Sequence, residues 1–381
     1  MEAPRLRMFV FSVMALALLS LCPVASAQTQ FFSATPIMDM PQPDGTCLTY
    51  DSFEGGLYEN CSDVVPSDHD ADGQYIATQI QPLDVNGNPS STGKVIFVSM
   101  GMSNAQNEFA GFLTNASKNR AVNHTTLALS NGAASNQDAC FWYPATGAPS
   151  CLSTAPNNFD RVAKLLPARG LSMNQVEVAW LKNANGRQHS YERGCQPTGT
   201  LCVPLCDPTL STTCVNSVTN TDAVNLESEL GDDVRAAKQR WPNLKMAFLT
   251  SRMWAGYALP SAGSPEPYAY ETGFAVKWLI EAQIIQMRTG VIDPIAGDLN
   301  YNDGTAPWLA WGPYFWADGP NPRSDGLVWC GGAKTPGPPC NGEQDFAADG
   351  QHPLSVTKQV GMMLDFFLNS PYTKSWFSAT P

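Results

Sequence analysis

Two short stretches, far apart in the chain, hold residues whose types and spacing could do chemistry. Ser103 follows the apolar run Val95-Ile96-Phe97-Val98-Ser99-Met100 and Gly101-Met102, and Asn104 comes directly after it. Asp349 and His352 stand three residues apart in Asp349-Gly350-Gln351-His352-Pro353, ahead of an apolar run from Val356 to Leu368. A serine hydroxyl is a poor nucleophile until a base takes its proton, and a histidine base needs a carboxylate to fix its tautomer. A serine just past a buried strand, with an Asp-x-x-His before a C-terminal helix, supplies the three parts of a hydrolytic triad. Ester hydrolysis is the chemistry they point to. The plainer use is structural: Ser103-Asn104 as a helix N-cap, and Asp349 to His352 as a turn and cap before the last helix.

The elements that must position these residues follow from the hydrophobic pattern. Val95–Met100, Thr125–Ser130, Val176–Leu181 and Lys245–Thr250 are short apolar runs suited to strands buried on both faces. Helical patterns lie between and after them, at Ala105–Ala116, Asn158–Ala168, Ala223–Arg240, Tyr268–Arg288 and Ser355–Leu368. Strands alternating with helices predict one α/β domain, three-layered α/β/α, around a mostly parallel sheet of about five strands. Ligands of such sheets sit beyond the carboxyl ends of the strands, where Ser103 falls. Residues 28–93 are rich in Pro, Gly, Asp and Ser and predict a loop-rich extension before the domain at 94–381. Two segments interrupt the alternation: a cysteine-rich insertion at 186–218, and a Trp-, Pro- and Gly-dense stretch at 293–345 expected to be a long ordered loop feeding the site.

Four patches together resemble the SGNH (GDSL-like) hydrolases, closest to the sialate O-acetylesterase-like branch of carbohydrate esterases. Gly101-Met102-Ser103-Asn104 is similar to the family's nucleophile turn, and Asp349-Gly350-Gln351-His352-Pro353 to its closing Asp-x-x-His-Pro motif. Asn131–Ala139 looks like the second block and Trp180–Gly186 like the third. The resemblance implies a flavodoxin-like sheet. It also implies that Ser103 attacks the ester carbonyl while His352 acts as base and then as acid, with Asp349 accepting from its Nδ1–H. The oxyanion donors it implies are the Ser103 N–H, a second-block N–H and a third-block asparagine. In the second block, Ser135 and Asn136 stand where glycines are usual, and Asn136 tolerates positive φ better. In the third, Asn183 replaces the usual glycine and Gly186 the usual aspartate, so the asparagine is Asn185, favoured, or Asn183.

The resemblance implies an esterase acting on O-acyl groups, acetyl first, of carbohydrates. A lipid-ester or thioester hydrolase of the same fold is the alternative within enzymes. The altered second and third blocks and the Trp-rich stretch also leave room for a catalytically inactive, secreted carbohydrate-binding or surface-interaction protein. Asn104, Arg252, Trp311 and Trp316 are the candidate substrate contacts. The aromatics Trp308, Trp311, Tyr314, Phe315, Trp316 and Trp329 could instead pack the loop onto the core, and Arg252 could serve a structural ion pair.

Composition narrows the context. Arg5 and Arg7, the apolar run Met8 to Leu21 and Ala25-Ser26-Ala27 are the three parts of a signal peptide (residues 1–27) with cleavage after Ala27, predicting a secreted or periplasmic protein. The formal net charge is −12 and basic clusters are lacking, which argues against nucleic acid or an anionic membrane as partner. The expected partner is a small ester or acylated sugar; no cofactor is called for, and the oligomeric state is open. Of the eleven cysteines, Cys22 lies in the leader. Local spacing pairs Cys47 with Cys61, Cys140 with Cys151 and Cys330 with Cys340, with two further bridges among Cys195, Cys202, Cys206 and Cys214. That last cluster holds no histidine, which argues against zinc. The chain's four histidines, His69, His124, His189 and His352, include no pair at helical spacing for a catalytic metal. Asp68-His69-Asp70-Ala71-Asp72-Gly73 has the alternating oxygens of a calcium loop, but Gln79 stands at its twelfth position; a solvated acidic turn is the favoured reading.

Overall fold

The computed structural model describes residues 32–151, 155–186, 218–258 and 263–379. The leader and the cluster of Cys195, Cys202, Cys206 and Cys214 lie outside them. The elements run β1 (Thr49–Tyr50), β2 (Phe53–Glu54), α1 (Ser67–Ala77), β3 (Val95–Gly101), α2 (Ser103–Ala116), β4 (Leu127–Ser130), α3 (Asn158–Leu165) and β5 (Val176–Lys182). They continue through α4 (Val218–Arg240), β6 (Met246–Leu249), α5 (Tyr268–Thr289), β7 (Trp308–Trp311), α6 (Thr357–Asn369) and α7 (Lys374–Phe377).

Five strands form one parallel sheet in the order β4-β3-β5-β6-β7. Every residue of β3, β5, β6 and β7 is buried, as apolar runs covered by helices on both faces require. Helix α2 packs with α6 in one layer, while α4 lies against α5 and, through Trp241 on Phe159, beside α3. Counting only the sheet strands, the order is second, first, third, fourth, fifth, the flavodoxin-like arrangement. Its direction reverses between β3 and β5, and ligand crevices open beyond the strand ends at such a reversal. The nucleophile turn follows β3 and the third block follows β5, so both patches emerge there.

Two expectations need correction. The fifth strand, β7, lies inside the stretch expected to be a long loop. Trp308-Leu-Ala-Trp311 becomes a strand because it can pair in register with Met246–Leu249, not because of any alternation of its own. Likewise Asp68–Gly73 is neither a turn nor a calcium loop but part of α1. Its carboxylates sit in the first turns, where they complement the helix dipole, and each has a docking partner. Asp68 pairs with Arg288 of α5, Asp70 accepts from Tyr372 and Asp72 from Tyr301, while His69, buried against Trp308, bonds the Leu309 carbonyl. These contacts lay the N-terminal segment on the domain, and residues from Phe32 onward form one compact unit.

The three disulfides expected in this part of the chain are present: Cys47–Cys61, Cys140–Cys151 and Cys330–Cys340.

Candidate active site

Strand β3 delivers Ser103. Gly101, its last residue, has φ +138°, and a Cβ there would lie 2.1 Å from the Lys182 carbonyl oxygen, so only glycine lets β3 and β5 approach this closely at the turn. The N-cap of α2 is Met102, without a side-chain cap bond; Ser103 is the first helical residue. The N-cap role for Ser103 therefore falls away, and its hydroxyl is turned elsewhere.

It meets His352. Nε2 of His352 lies 2.8 Å from Ser103 Oγ, and Nδ1 lies 2.6 Å from Asp349 Oδ2. The other oxygen of Asp349 accepts the backbone N–H groups of Gln351 and His352, both at 2.9 Å, so one carboxylate shapes the loop and fixes the ring. Burial pushes the Asp349 carboxyl up, but the His352 and Gln351 N–H groups and the imidazole outweigh it and hold the pKa below the usual carboxylate value. Gly350 makes the loop possible: at φ +67°, a Cβ would sit 2.2 Å from the Tyr257 carbonyl oxygen. Asn104 Nδ2 donates to the Gln351 carbonyl at 3.2 Å and ties the base loop to the nucleophile helix.

Ser103 and His352 open into a cleft of about 620 Å³ lined also by Met102, Ser135, Asn136, Asp138, Phe141, Gly186, Gly263 and Gln351. The second block forms one wall. Ser99, inside β3, accepts the N–H groups of Gly132 and Ala133 and donates to Asn131, which pins this block to the nucleophile strand. Asn136 is in the left-handed region, φ +59°, the conformation its residue type tolerates. The Ser135 hydroxyl donates to Gln106 of α2. Asp138 Oδ2 accepts from Gly186 N–H at 2.8 Å, joining the second block to the third.

The third block separates its two asparagines. The Asn185 side-chain amide donates to Asp222 of α4 at 3.1 Å, and burial raises that carboxyl to about 7. Asn183, buried next to the Gly101–Lys182 pair, accepts from Ala184 N–H through Oδ1, while its Nδ2 has no acceptor among the described residues. Neither asparagine lines the cleft, so what separates them is that Asn185 has spent its amide on Asp222 whereas Asn183, at the strand end paired with Gly101, keeps a buried amide without an acceptor among the described residues.

The four candidate substrate contacts fare differently from expectation. Trp311, 4% exposed, donates its indole N–H to the Leu57 carbonyl, and Trp316, fully buried, donates to Glu266. Trp308, Tyr314, Phe315 and Trp329 are buried as well, so these aromatics fasten the 293–345 stretch to the core, as large apolar rings in a long connection do. None of that stretch lines the cleft. Asn104 is 3% exposed and serves the loop contact above. Arg252, 2% exposed, lies beneath the cleft against Met102 rather than in it. Sequence reasoning gave no site role to Met102, Asp138, Gly186 and Gln351, although all four lie in the motifs it singled out, and it missed Phe141 and Gly263 altogether as cleft residues. Ser99, the anchor, left a trace as the one hydroxyl in the Val95–Met100 run.

No protein-family model matches this chain, and no curated protein matches it either.

Proposed function

We propose that this protein is an exported serine esterase that hydrolyses O-acyl esters, acetyl first, on carbohydrates, by the acyl-enzyme route of the SGNH hydrolases. The observation that carries the reading is His352, placed between the Ser103 hydroxyl and the Asp349 carboxylate within hydrogen-bond reach of both. Ser103 adds to the ester carbonyl as His352 takes its proton. The same proton then goes to the leaving alcohol, and a water repeats the sequence on the acyl-enzyme. The Ser103 N–H, at the N-terminus of α2, the turn at Asn136 and the Asn183 amide serve the oxyanion. No step calls on a metal, since base and orienting carboxylate are both side chains of the chain itself.

The cleft's composition supports a small acyl group on a hydroxyl-rich leaving group. Ser135, Asn136, Asp138 and Gln351 offer polar contacts, and Met102 and Phe141 are its larger apolar side chains among the described residues. Export is supported by the three disulfides. The test is hydrolysis of p-nitrophenyl acetate, with a series of longer acyl chains alongside. Turnover by wild type, loss in Ser103→Ala and a fall with chain length support the reading. Equal rates for wild type and Ser103→Ala contradict it, and a preference for long chains moves the substrate to lipid esters.

A further inference from the structure

Strand β3 is apolar from Val95 to Met100 except at Ser99, which is fully buried. A hydroxyl in such a run needs partners for its one proton and its two lone pairs, and Ser99 has all three. Its Oγ accepts the Gly132 N–H at 3.1 Å and the Ala133 N–H at 3.3 Å, and it donates to Asn131 Oδ1 at 2.9 Å. Asn131 in turn donates from Nδ2 to the Gln106 carbonyl of α2 at 2.8 Å. Gly132 is pressed against the strand as well, since a Cβ there would lie 2.4 Å from the Ser99 carbonyl oxygen. One side chain of β3 therefore gathers the chain that leaves β4 and turns it across the end of the nucleophile strand.

The order of the N–H groups along that chain gives the contact its consequence. Gly132 and Ala133 give theirs to Ser99, and Ala134 gives its own to the Gly101 carbonyl at 3.0 Å, at the turn that leads into Ser103. The next two, on Ser135 and Asn136, have no acceptor among the described residues, and both residues line the cleft with Ser103. The Ser135 hydroxyl holds to the Gln106 side chain in the first turn of α2, so the block is tied to residues on both sides of Ser103. We infer that Ser99 is a positioning residue: its buried hydroxyl sets the path of residues 131–134 and so holds the Ser135 and Asn136 N–H groups at the cleft wall as donors to the oxyanion formed on Ser103. The inference rests on the serine-esterase reading. Preorganised donors stabilise a transition state only while they are held in place, and a displacement of about 1 Å costs roughly 10²-fold in rate. Without the hydroxyl, the Gly132 and Ala133 N–H groups and Asn131 Oδ1 lose their partner inside the fold, and the segment shifts to find others.

Steady-state kinetics on an acetyl ester, with inhibition by a trifluoromethyl ketone, test this in the full chain. Such a ketone adds to a serine nucleophile as a tetrahedral alkoxide, so its affinity reads the oxyanion donors directly. Ser99→Ala should lose about 10- to 100-fold in kcat with KM within about twofold, and ketone affinity should fall by a similar factor. Ser99→Thr keeps the hydroxyl and should recover most of that loss. Asn131→Ala, outside the strand, removes the acceptor of the Ser99 proton and the tie to α2, and should show a smaller loss of the same pattern. A Ser99→Ala protein that is folded at the assay temperature and keeps wild-type kcat and ketone affinity overturns the proposal, and so does a loss confined to KM. If Ser99→Ala does not fold, Asn131→Ala decides in the same way: wild-type kcat and ketone affinity there overturn it. The esterase reading fails by a different result. A wild type that hydrolyses no ester and takes up no ketone removes that reading and this inference together, whereas an active wild type whose Ser99→Ala variant keeps full kcat removes the positioning role alone.

Discussion

Asn183 and Asn185 are two residues apart and chemically identical, yet the fold gives them different work. Asn185 spends its amide on Asp222, whereas the Asn183 amide is buried without an acceptor among the described residues. Losing a single oxyanion donor typically costs 10²- to 10³-fold in kcat. Asn183→Ala should therefore lower kcat by about 10²-fold at nearly constant KM, and Asn185→Ala by less than about tenfold; steady-state kinetics on an acetyl ester checks both. The reverse ranking would return the oxyanion to Asn185. Ser103, Asp349 and His352 were legible in the sequence because each has a local signature: a serine after a buried strand, and a carboxylate three residues before a histidine. The choice between the asparagines was not, since it depends on where α4 brings Asp222, a contact 37 residues away. Nor was the burial of Asn104 and Arg252, because polar side chains at strand ends face a cleft or a core according to what packs over them.

Strands and helices were read from pattern with uneven success, for physical reasons. β3 and β5 are largely apolar, with β-branched Val95, Ile96, Val98, Val176 and Val178, and buried on both faces, so composition alone marks them. β7 has no β-branched residue and lies in a Pro- and Gly-dense stretch, so only its pairing with β6 makes it a strand. Helix α1 is polar and looks like a metal loop until Arg288, Tyr301 and Tyr372 claim its carboxylates. The same dependence on local staples gives a prediction for the disulfides. Cys140–Cys151 closes the segment that carries Phe141 and follows Asp138, both in the cleft. Replacing both cysteines by serine should raise KM several-fold and lower stability. Removing Cys47–Cys61 should cost a similar roughly 3 kcal/mol, by loop-closure entropy, and leave KM unchanged. Kinetics and denaturant melts of the two double variants separate the roles; equal KM values would show that the Cys140 segment does not shape the cleft.

Taken whole, the molecule buries acidic side chains as well as displaying them, and burial favours their neutral form. Burial raises Glu227 to about 8, and burial with the nearby acids Asp222, Asp51 and Glu266 raises Glu271 to about 8 despite the hydrogen bond from Tyr50. A carboxyl whose folded pKa lies above its unfolded value, about 4.3 for glutamate, stabilises the fold least once it must ionise. Its contribution is full below about pH 4.3 and is lost as pH rises toward about 8. Glu271→Gln keeps an acceptor for Tyr50 and has no proton to lose. It should match wild type near pH 4 and exceed it by about 2 kcal/mol at pH 8 to 9, read as Tm across pH. A variant no more stable than wild type at pH 9 would mean that Glu271 ionises freely in place. The sheet reversal between β3 and β5, the glycines at 101 and 350 and the pinned second block all serve one arrangement, in which His352 lies between Ser103 and Asp349. Mass spectrometry of the protein quenched during turnover of an acetyl ester reads that arrangement at work. An acetyl group on the peptide carrying Ser103, longer-lived in Asp349→Asn and missing in Ser103→Ala, is the expected result. Sustained hydrolysis with no acyl group ever found on Ser103, or with the group on another residue, would contradict it.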